Sequence, residues 1–109
     1  MPRMTGAKFM VQMMQAYGVT HIFYMPMVVT GALVEMEQVG IRRIMTHSEK
    51  AAAYMADGYA RAAHRAGVCM AQNVGAANLA AGLQDAYLAG SPVIALTGRA
   101  TSTQQYRHH

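Results

Sequence analysis

Four short runs rich in β-branched, aromatic and other apolar residues recur along the chain, at 19–25, 41–45, 68–71 and 93–97. Each follows a stretch with helical spacing. Strands alternating with helices in this way mean βαβ units, a parallel sheet and helices on its faces. The pattern predicts an α/β fold with three αβα layers. In such sheets ligands bind beyond the carboxyl ends of the strands. That places any site among four segments, 24–27, 46–49, 72–78 and 98–104.

Local signals mark the elements. A first helix is expected over 5–17, with Thr5 as N-cap, Gly18 as stop, and apolar residues at Phe9, Met10, Met13, Met14 and Tyr17. Pro26 ends the first strand. A second helix over 28–39 turns Leu33 and Met36 inward and Glu35 and Gln38 outward, and Gly40 closes it. A third runs from Thr46 to about His64, and Gly67 turns the chain into the third strand. Gln72-Asn73-Val74-Gly75 is a turn, the fourth helix covers 76–88, and Gly90-Ser91-Pro92 breaks it. The last strand is apolar throughout, as a strand covered on both faces should be.

The third helix carries the most informative residue. Thr46 and Glu49 have the T-x-x-E spacing of a capping box, which would make Glu49 a structural carboxylate at the third helical position. The other reading holds Glu49 in a cleft as a proton donor or acceptor. At 72–78 a glycine-containing turn enters a helix. It can offer backbone N–H groups to an anion, or Asn73 and Asn78 can make local caps. There is no G-x-G-x-x-G and no glycine-lysine pair.

Composition narrows the function classes. Of 109 residues, 53% are hydrophobic and 13% charged, well under the ~25% charge of soluble domains, so much of the surface is expected to face another domain or subunit. The net charge of +4 is scattered, and no basic stripe points to nucleic acid. No apolar run reaches the ~18 residues of a membrane span, and no signal peptide is visible. The single Cys69 fits a reducing, cytoplasmic setting and reads as a buried structural thiol. The eleven methionines read mostly as core or interface filler. His47 has no partner at ligand spacing, so no metal site is expected. His108 and His109 are a tag remnant or native sequence.

Taken in order, the residues resemble a known family. The carriers are His21-Ile22-Phe23, Pro26, and above all His47-Ser48-Glu49-Lys50-Ala51-Ala52-Ala53-Tyr54-Met55-Ala56-Asp57-Gly58-Tyr59-Ala60-Arg61. Gly67-Val68-Cys69, Gly75-Ala76-Ala77-Asn78-Leu79, Gln84-Asp85-Ala86-Tyr87 and Ser91-Pro92-Val93-Ile94-Ala95-Leu96-Thr97-Gly98 continue the likeness. Nearly the whole chain is similar to the N-terminal pyrimidine-binding domain of thiamine-diphosphate enzymes of the acetolactate synthase and 2-oxo-acid decarboxylase group.

The resemblance implies that residues 1–109 are a partial pyrimidine-binding domain, incomplete at its C-terminal side. It implies that Glu49 contacts the N1′ nitrogen of thiamine diphosphate and activates the cofactor for attack on a 2-oxo acid. It also places Pro26, Asn73, Gly75 and Asn78 near the pyrimidine or substrate. Magnesium and the diphosphate would be held by a domain with a G-D-G and asparagine motif that this chain lacks, supplied elsewhere or by a second subunit of a homo-oligomer. The isolated chain is therefore expected to be inactive. Two departures stand out: Met25 and Met27 replace the glycines that usually flank the proline, and the third-strand turn has fewer glycines. The competing expectation is a non-catalytic, flavodoxin-like α/β module that associates through its low-charge faces.

Overall fold

The computed structural model describes residues 3–26 and 29–105. In chain order the elements are α1 (Gly6–Ala16), β1 (His21–Tyr24), α2 (Thr30–Gln38), β2 (Arg42–Met45), α3 (Glu49–Ala63), β3 (Gly67–Ala71), α4 (Gly75–Ala89) and β4 (Val93–Thr97). The four strands form one parallel sheet in the order β2-β1-β3-β4. This is the expected α/β architecture, with two helices on each face.

Strand alternation divides the core in two. Ile22, Val68 and Met70 face Val11 and Met14 of α1 and Ala32 and Met36 of α2. Phe23, Cys69 and Ala71 face Ala52, Ala53 and Ala56 of α3 and Leu79 of α4. The buried residues that α3 gives this second layer are all alanine, at Ala52, Ala53 and Ala56, so α3 lies very close to the sheet. At Gly67 an added Cβ would overlap the Ala56 carbonyl, which puts the start of β3 directly under α3.

Caps explain where helices begin and end. The Thr5 hydroxyl accepts from the Lys8 N–H at 3.2 Å, and Gly18 takes φ +76° after α1. Gly90, at φ +66°, ends α4. At the other end of the loop holding Pro26, Val29 enters α2 with φ +35°, a conformation that β-branched residues rarely adopt. Met27 lies outside the described residues, as do His108 and His109.

Three expectations are corrected. The buried face of α1 is Val11 and Met14 with Ala7 and Met10 beside them, whereas Phe9 and Tyr17 are exposed. In α2, Met36 is buried and Gln38 exposed as expected, but Glu35 is half-buried. The apolar strand β4 is not covered on both faces: it lies at the sheet edge, and Ile94 is 46% exposed.

Ile94 and Leu96 instead form one wall of an open apolar groove of about 340 Å³ whose other wall is α1. Among the described residues no helix is long and apolar enough to cross a membrane.

Candidate functional site

The strand order reverses at β1. From there the chain goes outward to β2, then back across β1 to β3 and β4. The carboxyl ends of β1, β2 and β3 thus feed three neighbouring loops, the arrangement in which α/β sheets hold ligands. Backbone bonds tie those ends together. The Met25 N–H donates to the Met70 carbonyl at 3.2 Å, and the Thr46 N–H donates to the Tyr24 carbonyl at 2.9 Å.

The capping box is not formed. Ser48, two residues after Thr46, is the N-cap of α3, and its hydroxyl accepts from the Ala51 N–H at 3.1 Å. Thr46 is buried, and its hydroxyl donates to the Ser48 carbonyl at 2.9 Å and to the Tyr24 carbonyl at 3.3 Å. Glu49 therefore occupies the first helical position rather than the third. It has no backbone N–H of its own helix to satisfy. The reason is register: β2 ends at Met45, and Thr46 is used up in fastening that end to β1.

Freed from capping, the Glu49 side chain crosses to α4. Its Oε2 accepts from the Asn78 side-chain amide at 3.4 Å. Its Oε1 occupies the space that a Cβ on Gly75 would fill, 2.6 Å from that position. Glu49, half-buried as a residue, lines a crevice of about 410 Å³ with Ser48, Lys50, Ala77, Asn78 and Ala81. Of the residues singled out in the sequence, the structure thus brings Glu49, Gly75 and Asn78 together. Pro26 and Asn73 lie at the same end of the sheet. Both are exposed, and the Asn73 side chain accepts from the Val74 N–H at 2.9 Å, a local contact.

A second polar group lies farther along the α3–α4 seam, and the sequence reading did not single it out. Asp57 is buried and takes two N–H bonds of 2.9 Å from the Arg61 guanidinium, one turn on. That guanidinium, with help from the Ser91 hydroxyl, holds the Asp57 carboxyl below the usual carboxylate range. The Asp85 carboxylate facing Tyr54 pushes that phenol above its ordinary value. The i, i+4 spacing of Asp57 and Arg61 was the available signal.

Cys69 is buried in β3, and burial pushes its thiol up to about 11, in line with a structural role. Among the described residues no three His, Cys, Asp or Glu side chains converge as a metal site.

Comparison with known proteins shows which family the sequence matches. Residues 4–109 match the family described as "Thiamine pyrophosphate enzyme, N-terminal TPP binding domain". The chain is 40% identical over 103 residues to acetolactate synthase of Arthrospira platensis, covering 89% of this chain and 18% of that protein. It is 43% identical over 101 residues to a probable acetolactate synthase large subunit of Methanocaldococcus jannaschii, covering 88% and 17%. Against the acetolactate synthase isozyme 2 large subunit of Escherichia coli, identity is 39% over 104 residues, covering 91% and 18%. The chain thus spans less than a fifth of the length of these relatives. With its parallel sheet, its strand-end crevice and a match over nearly its whole length, the chain belongs to the thiamine pyrophosphate enzyme family and corresponds to that family's N-terminal TPP-binding domain.

Proposed function

We propose that this chain is the pyrimidine-binding part of a thiamine-diphosphate-dependent carboligase or decarboxylase acting on a 2-oxo acid. Glu49 is the carboxyl that exchanges a proton with the cofactor's aminopyrimidine. The observation that carries this reading is the release of Glu49 from helix capping and its seat in a crevice on α4.

The residues present fit the heterocyclic end of the cofactor. The Glu49 carboxyl, 3.4 Å from the Asn78 amide, is the group placed to exchange a proton with a bound ring. Asn78 stands beside it, and the small side chains Ala77 and Ala81 leave room for a flat ring. The cofactor supplies the electron sink for carbon–carbon bond cleavage or formation. This chain supplies orientation and one carboxyl. The diphosphate and its metal would be held by another domain or a second subunit, as the family resemblance implies.

The edge strand β4 and its apolar groove favour association and would also suit a purely structural module. Such a module gives no reason for Glu49 to be seated across α4.

The test is a chimera in which this segment replaces the matched region of the E. coli isozyme 2 large subunit. The chimera with Glu49 is expected to form acetolactate, and Glu49→Gln to lose at least ~10²-fold, the lower range for a general acid–base group, with an unchanged circular dichroism spectrum. A folded Glu49→Gln chimera that keeps its turnover removes the reading. Thiamine diphosphate is expected to bind the 109-residue chain weakly at most, and calorimetry showing micromolar affinity would contradict the division of the site.

A further inference from the structure

We propose that Gly75 is a positioning residue for Glu49: its missing side chain is the seat of the Glu49 carboxyl. The catalytic meaning of this rests on the reading of Glu49 just given, but the geometry and its test do not.

The backbone of Gly75 does not call for glycine. It is the first residue of α4, and the glycines with positive φ are Gly18, Gly40 and Gly90. In a helix alanine is favoured over glycine by up to ~1 kcal/mol. What glycine provides at 75 is space. The three atoms nearest to an added Cβ all belong to Glu49: Oε1 at 2.6 Å, Cγ at 3.0 Å and Cδ at 3.1 Å.

The other tight glycines differ in kind. At Gly67 the obstacle is the Ala56 backbone, and at Gly82 it includes the Lys50 carbonyl oxygen at 2.7 Å. Backbone atoms in packed helices cannot step aside. A glutamate end group can. A methyl group at 75 would therefore leave the fold standing and push the carboxyl out of its seat. The Asn78 bond, at 3.4 Å, is too long to hold it there. Gly75 thus sets where the carboxyl stands.

NMR on the 109-residue chain tests this with Gly75→Ala, Glu49→Ala and the double variant, without any cofactor. In Gly75→Ala the Glu49 carboxyl carbon and the Asn78 side-chain amide are expected to shift. The amide should move toward its position in Glu49→Ala, and the melting temperature should be unchanged or higher. In the Glu49→Ala background, Gly75→Ala should leave that amide where it is. Unmoved resonances in Gly75→Ala, or an equal extra shift in the Glu49→Ala background, overturn the proposal. If Gly75→Ala does not fold, the double variant decides: a recovered fold locates the conflict in the Glu49 side chain, and an unfolded one shows that the glycine serves the backbone and overturns the proposal. A chimera still active with Glu49→Gln would remove the cofactor reading and leave this result intact.

Discussion

Gly82 of α4 and Ala53 of α3 meet so closely that a Cβ on Gly82 would stand 2.7 Å from the Ala53 Cβ and 2.7 Å from the Lys50 carbonyl oxygen. This contact sets the distance between the two helices whose first residues carry Glu49 and Gly75. Overpacking a tight contact costs about 1–3 kcal/mol, and the better helix propensity of alanine returns up to ~1 kcal/mol. Gly82→Ala is therefore expected to lower the urea midpoint. An equal or higher midpoint would show that α3 and α4 can part freely.

The cap of α3 separates two residues that the T-x-x-E spacing couples. Ser48→Ala removes the bond to the Ala51 N–H and is expected to cost about 0.5–2 kcal/mol. Glu49→Gln should stay within about 0.5 kcal/mol of the parent, because the side chain caps no backbone group. Denaturant titration of both variants checks the order. A larger loss at Glu49 would return that residue to a structural role.

The Asp57–Arg61 pair predicts a pH dependence. The carboxyl is held below its ordinary range in the folded chain. Its contribution to stability is therefore fully present above the unfolded value of ~3.9. It is lost as pH falls through the lower folded value. Asp57→Asn is expected to melt below the parent at pH 7, with the gap closing below about pH 4. A gap that persists to pH 2 would mean that shape, not charge, makes the contact.

Cys69 should be inert in the folded chain. With its thiol pushed up to about 11, roughly one molecule in a thousand carries a thiolate at pH 8, and the sulfur is buried as well. Iodoacetamide is expected to leave native protein unmodified and to label it fully in denaturant. Rapid labelling of native protein would place β3 at a surface.

Much of the fold is legible in the linear pattern. The four strands and four helices, and even the bounds of β4, follow from apolar runs, caps and glycine stops that act over a few residues. The register of α3 does not. Thr46 and Ser48 are both good caps, and the choice between them depends on Thr46 being held by Tyr24 of β1 across the sheet. The faces of α1 and β4 are not legible in the pattern for a related reason. An apolar residue records that it can be buried, not whether a partner element lies over it, and Phe9, Tyr17 and Ile94 have little above them.

By itself the sequence determined the α/β alternation, because apolar runs, caps and glycine stops act over a few residues, whereas the T-x-x-E spacing left Glu49 open between a cap and a cleft and only the family resemblance singled it out. Only the tertiary structure decided what that carboxyl touches. Glu49 and Gly75 are far apart along the chain, and they meet because the alanine and glycine seam of α3 and α4 lets two helix starts converge at the end of one parallel sheet.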